Sequence, residues 1–360
     1  QKILCILSNI IQEMIMAETS MEEKYKQAAA VVCKQGMFPF PVNDTTIAII
    51  KRVVGEAEAE LNLIRAFGDK ASQTLDQLAA SSGMSPEEVD RLAVSLAQKG
   101  LIFNQPNSAG VMVYRILPLM LVGVLEYKFM GKLKWDEEER ELAQLFQDLM
   151  TQVRDQVQAN YDNMVPIFQS APPVDRTVPT RVTEEGKTIR TIPVDRTVEV
   201  PDEFVLPSQS VEDIIHKFDD IAVGHCFCRQ RRAVLGDPCD LNAPVENCFT
   251  FGKSARHTVA QGFSRMVGKE EALQIMQEAE AAGLVHKAFH PGSNETRPET
   301  SICNCCKDCC DTLNLWREGA FPLVNSTYYL SVMDPDLCTG CGTCVDLCPM
   351  DAIEINDEGV

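Results

Sequence analysis

The chain has 360 residues, enough for two or three domains, and 45% of them are hydrophobic, an ordinary fraction for a globular protein that buries a core. Its formal charge of −19 excludes polyanion binding as a global property, because nucleic-acid affinity is dominated by phosphate neutralisation, and it favours a basic partner. Thirteen of the 15 cysteines crowd between Cys226 and Cys348 as CxC, CC and CxxC groups, which is metal-site spacing; it implies a reducing compartment and a cytoplasmic location. Cys5 and Cys33 stand apart in helix-like sequence and read as buried thiols.

In chain order, Ile3 to Met16 has apolar residues at helical spacing and predicts an amphipathic helix within an N-terminal region, 1–39. A secretory signal would want a basic start and an unbroken apolar core, and no stretch reaches the roughly twenty apolar residues that span a bilayer. The missing initiating Met, and the stop soon after the last cysteine run, give the expectation that either end is incomplete.

Residues 40–135 predict a winged-helix-like domain. Helical periodicity runs from Thr45 to Phe67 and from Thr74 to Ala80. Ser85-Pro86-Glu87-Glu88 then opens a helix to Lys99, with an N-cap, a first-turn proline and acids at the positive dipole end. Strands at Leu101–Asn104 and Val111–Leu117 flank the turn-rich Gln105 to Gly110. In a DNA reader the second helix would face the groove, but Glu87, Glu88 and Asp90 stand there against Arg91, Gln98 and Lys99, so protein docking or dimerisation is the preferred use.

The segment 136–207 reads as an arm. A long helix from Asp136 to Asn163 closes before Pro166, and a Pro/Thr/Val-rich stretch carries Pro-Val-Asp-Arg-Thr-Val at 173 and again at 193, the two feet of a hairpin turning at Glu184-Glu185-Gly186. The region 208–333 is cysteine-rich. Cys226-Phe227-Cys228, taken as extended, aims both thiols at one site, with Cys239 and Cys248 downstream and Arg229, Arg231 and Arg232 immediately beyond. Nearby guanidinium groups would raise the reduction potential of an anionic centre; the plain alternative pairs them with Glu246 or Asp240. His225 and His286 are candidates for a supporting shell rather than for ligands. Cys303, Cys305, Cys306, Cys309 and Cys310 follow within eight residues, and neighbouring thiols that point apart would serve different ligands. Between the two groups, Lys269 to Ala282 is a helix ending at Gly283, and Phe251-Gly252-Lys253-Ser254 lacks the upstream glycine of a phosphate loop.

From 334 to the end, Cys338, Cys341, Cys344 and Cys348 before Pro349 form C-x2-C-x2-C-x3-C-P. Three thiolates at this spacing wrap a 4Fe-4S cubane, and the fourth conventionally ligates a neighbouring cluster. The run resembles one half of a bacterial-type ferredoxin, with Ala352 to Ile355 as the strand that usually follows; zinc is the alternative occupant. Seven acids and no Lys or Arg lie between Asp334 and Val360, a field that can steer a positively charged redox partner.

Together the winged helix, CxCR, Gly283-Leu284-Val285-His286, Ile302-Cys303-Asn304-Cys305-Cys306 and the ferredoxin run resemble a family of multi-cluster 4Fe-4S ferredoxin-domain proteins of anaerobic bacteria and archaea. The resemblance spans most of 40–360, and only the last run is highly specific. It implies an α+β electron-transfer protein with two or three 4Fe-4S clusters held by the thirteen cysteines. It further implies a redox partner such as a flavoprotein or larger oxidoreductase with a basic docking face, in a complex or a homo-oligomer. The competing readings are a redox-sensing winged-helix regulator, and an enzyme acting at an unusual cluster in 303–310 with His286 or Lys307 near its substrate.

Overall fold

The computed structural model describes residues 20–36, 39–170, 175–180, 210–291, 297–320, 333–348 and 351–355. It is a mixture of helices and small antiparallel sheets, consistent with α+β, and divides into two compact units at Leu125/Glu126. The amphipathic Ile3–Met16 segment, the hairpin turn at 184–186 and the second hexapeptide copy lie outside the described residues.

In the first unit, α1 (Met21–Cys33) starts at Ser20, whose side chain accepts from the Glu23 N–H. The periodic stretch from Thr45 to Phe67 is two helices, α2 (Asp44–Val54) and α3 (Glu58–Ala66). Gly55 separates them at φ 69°, a left-handed position open to glycine without steric cost, and apolar spacing that continues across it conceals the break. Then come β1 (Ser72–Thr74), α4 (Leu75–Ser82), α5 (Pro86–Gln98), β2 (Ile102–Pro106) and β3 (Met112–Ile116). Thr74 and Ser85 cap their helices as their positions predict, accepting from Gln77 and Glu88 N–H. The strands pair antiparallel in the order β1-β3-β2, and the helices bury Leu61, Ile64, Val89, Leu92 and Leu96.

The division falls within α6 (Val124–Met130), and the second unit continues with α7 (Glu137–Ala159), capped by Asp136. The helix expected to run to Asn163 stops at Ala159, and a separate α8 (Tyr161–Ser170) carries Pro166 inside it. Next come β4 (Asp175–Thr177), α9 (Val211–Lys217), β5 (Ile221–His225), α10 (Phe227–Val234), β6 (Glu246–Phe251) and α11 (Lys253–Ala260). They are followed by β7 (Arg265–Met266), α12 (Lys269–Ala281), β8 (Val285–Phe289), β9 (Ser301–Cys305), α13 (Asp311–Arg317) and α14 (Thr343–Leu347). The six strands form one antiparallel sheet in the order β4-β8-β9-β6-β5-β7. The first hexapeptide copy therefore supplies an edge strand through its Asp-Arg-Thr.

Alternation along these strands gives the sheet two different faces. Ile221, Val223, Phe249, Phe251, Ala288 and Ile302 point to one side and pack under Val211, Ile214 and Ile215 of α9 and Ala272 and Met276 of α12. Burying each of the large members stabilises the fold by about 1.5–3 kcal/mol. The alternate positions put Cys248, Cys303, Cys305, Lys287 and Asp175 on the opposite side. Gly224 shares that side, where a Cβ would stand 2.7 Å from Met130 Cγ and 2.9 Å from the Phe263 carbonyl oxygen. Its missing side chain lets the end of α6 close over the sheet.

At the C-terminus, Ala352 to Ile355 is not a strand. Asp351 turns the chain at φ 50°, and among the described residues no strand pairs with the segment, so its backbone has no ladder to join. No helix among the described residues is long and apolar enough to cross a membrane.

Candidate metal centres

The two cysteine groups of the middle region do not form one site each. Their thiols intermingle across the sheet, and the mingling follows from two strand-to-helix junctions. At the first, β5 runs into α10 with Cys226 as N-cap at φ −65°, ψ 108°. At the second, β9 ends at Cys305 and α13 starts from Cys310 as N-cap at φ −69°, ψ 113°. The two caps thus have nearly the same backbone geometry. The CxC segment is not extended, as its pattern suggested, because Cys228 already lies in the first turn of α10. Its two thiols nevertheless lie close enough to shift each other's acidity.

Cys310 stands close enough to both Cys228 and Cys305 for the thiols to shift one another's acidity. Cys248 on β6 and Cys303 on β9 form a neighbouring pair, and Cys303 feels the charge of the Cys226 thiol. Six thiols from four places in the sequence thus line one patch, four of them buried and Cys226 and Cys303 half-buried. Their acidities divide. The hydrogen bond from Cys228, and then Arg229, pulls Cys226 below its ordinary value; bonds from Cys228 and Cys305, and then Lys287, pull Cys310 far below. Burial, then hydrogen bonding to Cys226, raises Cys228, while bonding to Cys248 raises Cys303 and bonding to Cys310 raises Cys305. The two favoured thiolates are the two helix caps, where exposed backbone N–H groups also favour negative charge.

Two buried cations support this patch. Arg229 lies 3.6 Å from Cys306 Sγ through Nη2, and donates to the Asn304 carbonyl at 3.2 Å and to that of Pro244. Although burial opposes it, the charge of Cys226 and Cys306 holds its guanidinium above the usual range. Lys287, fully buried on β8, sits 2.5 Å from Asp175 Oδ2 and donates at 3.1 Å to Thr312 Oγ1, which in turn is 3.1 Å from Cys310 Sγ. Asp175, then Cys305 and Cys310, hold the ammonium charged against its burial. Sequence reasoning missed Lys287 and Asp175. The available signal was a lysine in an otherwise apolar strand and the charged pair inside a hexapeptide that reads as a linker.

A second group is distinct and compact. Cys239, from the loop after α10, meets Cys306, Asp308 and Cys309, with all four ligand atoms within 4.8 Å of one another. Cys306 and Cys309 are buried, while Cys239 and Asp308 are half-buried. Hydrogen bonding from Cys309, then the Arg229 charge, lowers the Cys306 thiol to about 7. Burial works against the Asp308 carboxylate, yet the Asp240 N–H and the two thiols hold it at about 2. Adjacent cysteines therefore do point apart: Cys305 and Cys310 turn to the first patch, Cys306 and Cys309 to the second.

The remaining candidates take other parts. His225 Nδ1 lies 3.3 Å from the Met130 carbonyl, and His286 is held between Thr180 Oγ1 at 2.8 Å and Asn304 Oδ1 at 2.5 Å, on the apolar side of the sheet. Burial lowers the affinity of His286 for a proton. Arg231 bridges to Asp311 at 2.6 Å and donates to Gln147, Arg232 pairs with Asp237, and Glu246 takes Arg265 at 2.8 Å; the expected pairing of these arginines with Glu246 or Asp240 does not occur. Arg231 and Arg232 also border a cavity of about 350 Å³ whose walls carry ion-paired side chains and no thiol.

At the tip, Cys338, Cys341, Cys344 and Cys348 stand around a short turn and α14, with Cys341 and Cys344 exposed. Gly340 at φ 67° and Gly342 at φ 80° take left-handed turns between the ligands. This lets the Gly340 N–H reach Cys338 Sγ at 3.4 Å, and the Ala352 N–H reaches Cys348 Sγ at the same distance. The Thr343 hydroxyl and N–H lower the Cys341 thiol to about 7. Backbone N–H groups aimed at sulfur, on a loop with no side chain in the way, suit an anionic iron–sulfur cluster. Lys307 binds Asp351 at 2.5 Å, and Arg317 binds it as well, which ties this segment to the Cys303–Cys310 run.

Comparison with known proteins agrees at the tip. The 4Fe-4S binding domain family matches residues 331–354. A "Probable ferredoxin" of Methanosarcina thermophila is 68% identical over 25 residues, which is 7% of this chain and 43% of that protein. The chain thus spans less than half the length of this relative, and no solved structure matches. Residues 331–354 of this chain are thus a ferredoxin-type 4Fe-4S segment.

Proposed function

We propose that the protein relays single electrons between redox partners through more than one 4Fe-4S cluster, one at the tip and one in the buried thiol patch. The observation that carries this reading is the gathering of Cys226, Cys228, Cys310 and Cys305 at one place, the last three buried and Cys226 half-buried, flanked by Arg229 and Lys287. These four are the inferred ligands of the inner cluster, with Cys248 and Cys303 beside them. A cluster held there supplies one-electron chemistry near neutral pH without a proton donor. The chain's own work is to exclude water, to fix the sulfurs, and to set the potential with two buried cations. Asp351, clasped by Lys307 and Arg317, holds the tip against the segment that carries the inner ligands.

The first unit is read as a winged-helix domain used for protein docking. The order of α4, α5 and the β2–β3 hairpin supports this, and so does the acidic start of α5, which suits a DNA groove poorly. The acidic tip would receive a basic face of a flavoprotein or larger oxidoreductase.

The test is protein-film voltammetry of the anaerobically purified chain. Two reversible one-electron waves, the more exposed centre exchanging faster, are expected. A single wave that disappears when Cys341 and Cys344 are replaced by serine would overturn the relay.

A further inference from the structure

We propose that Cys239, Cys306, Cys309 and Asp308 form a mononuclear site for one tetrahedral divalent ion of the zinc class, separate from any iron–sulfur cluster. The argument is one of geometry and donor type. A zinc ion takes thiolates at about 2.3 Å in tetrahedral geometry, which sets neighbouring sulfurs about 3.8 Å apart. Here Cys239 Sγ is 3.9 Å from Cys306 Sγ and 3.7 Å from Asp308 Oδ1, and Cys309 Sγ is 3.3 Å from Asp308 Oδ2. Asp308 stands among the donors with a carboxylate oxygen, which the four thiolates of an ordinary cubane leave no place for. This group is already gathered to the span of a single ion.

The ligand set points the same way. Three soft thiolates with one carboxylate suit zinc, whereas calcium and magnesium require oxygen ligands. The groups around the ligands are in place too. The Asp240 N–H donates to Asp308 Oδ2 at 2.6 Å, which fixes the carboxylate, and Arg232 holds the Asp308 carbonyl. Arg229 Nη2 stands 3.6 Å from Cys306 Sγ, where it offsets the negative charge that three thiolates and a carboxylate would leave on a divalent ion. Zinc has no redox chemistry of its own. Its part here is structural: it ties the loop after α10 to the Cys306–Cys309 turn, whose neighbours Cys305 and Cys310 face the other patch. The site thereby holds the inner thiols in register without carrying electrons.

The inference goes beyond the electron-relay reading, and its test reads zinc and iron independently. The full chain, purified without air from zinc-supplemented medium, is analysed for zinc, iron and acid-labile sulfide beside Cys306→Ser and Asp308→Ala. About one zinc per chain is expected in the parent. Cys306→Ser should lose it while iron, sulfide and visible absorption stay unchanged, and Asp308→Ala should surrender zinc to a chromogenic chelator at least tenfold faster. Cobalt(II) loaded in place of zinc should give the intense long-wavelength bands of a tetrahedral thiolate site, absent in Cys306→Ser. Loss of about four iron and the matching sulfide in Cys306→Ser would overturn the proposal in favour of a cubane. A parent chain that holds no zinc and takes up none when zinc is added, or one that holds a single iron there, would overturn it too. Asp308→Ala guards against a folding failure in the cysteine variant, since it leaves all three thiols in place.

Discussion

The tip and the sheet use the same residue in opposite ways. At the tip, four cysteines follow one another from Cys338 to Cys348 on a turn exposed to solvent, and the spacing itself defines the site. Around the sheet, nine cysteines come from the junction of β5 with α10, from the loop after α10, from β6, and from β9 and its turn into α13, and no interval between them says which will meet. Strand register decides it: β6 sets Cys248 beside Cys303, while β8 sets Lys287 opposite Cys303. A local motif encodes its centre in sequence distance, whereas a buried centre encodes it in the fold and depends on the charges buried with it.

That contrast can be broken at several points. The largest effect is expected from Lys287→Met, which leaves Asp175 unpaired in the interior, where burial already pushes its carboxyl up to about 6 and loss of the ammonium drives it to take up a proton; the change should cost about 3–5 kcal/mol in anaerobic urea unfolding. The double variant with Asp175→Asn should recover much of the loss, since replacing both partners of a buried pair is tolerated better than orphaning one. A cost below about 1 kcal/mol for the single change would mean that the pair does not sit in a dry interior. Arg229→Gln comes next. It removes charge-assisted hydrogen bonds, each contributing about 1.5–3 kcal/mol, and should move the midpoint potential of the inner centre downward while leaving the tip's potential alone. An EPR-monitored redox titration separates the two, and an unmoved inner potential would detach Arg229 from that centre.

Smaller effects sharpen the comparison from the outside. Ser85→Ala deletes the cap of α5 and should cost about 1 kcal/mol in the first unit with no change in bound iron. Arg265→Ala, which removes the exposed pairs to Glu246 and Glu271, should change stability by less than about 1 kcal/mol, beside the several expected for the buried pair. Equal costs for Arg265 and Lys287 would remove the distinction between surface and interior charges.

What the sequence made legible follows the same division. Ser85, Thr74 and Asp136 name the starts of their helices because a cap is a local hydrogen bond, and the ferredoxin run names its cluster because the ligands are neighbours in the chain. The break at Gly55 was hidden by apolar spacing that continues across it. The strand expected at Ala352–Ile355 failed for want of a partner, a non-local requirement. The hexapeptide at 173 looked like a linker because its Asp and Arg are charged, yet both are buried: Asp175 meets Lys287, and Arg176 lies 3.3 Å from the buried Glu299. Pattern alone placed Cys226 and Cys228 together but gave no means of dividing Cys305 from Cys306. That division depends on the turn from β9 into α13, and with it the supporting roles of Asp308, Thr312 and Lys287 stayed hidden.

The central claim is that the buried thiols hold a cluster of their own. Its most direct test is iron, sulfide and EPR of the dithionite-reduced chain beside a variant in which Cys338, Cys341, Cys344 and Cys348 are all serine. The account predicts about eight iron in the parent and about four in the variant, which keeps one cubane signal and loses the magnetic interaction between the two. A variant that retains neither iron nor signal would contradict it and leave the tip as the chain's one redox centre.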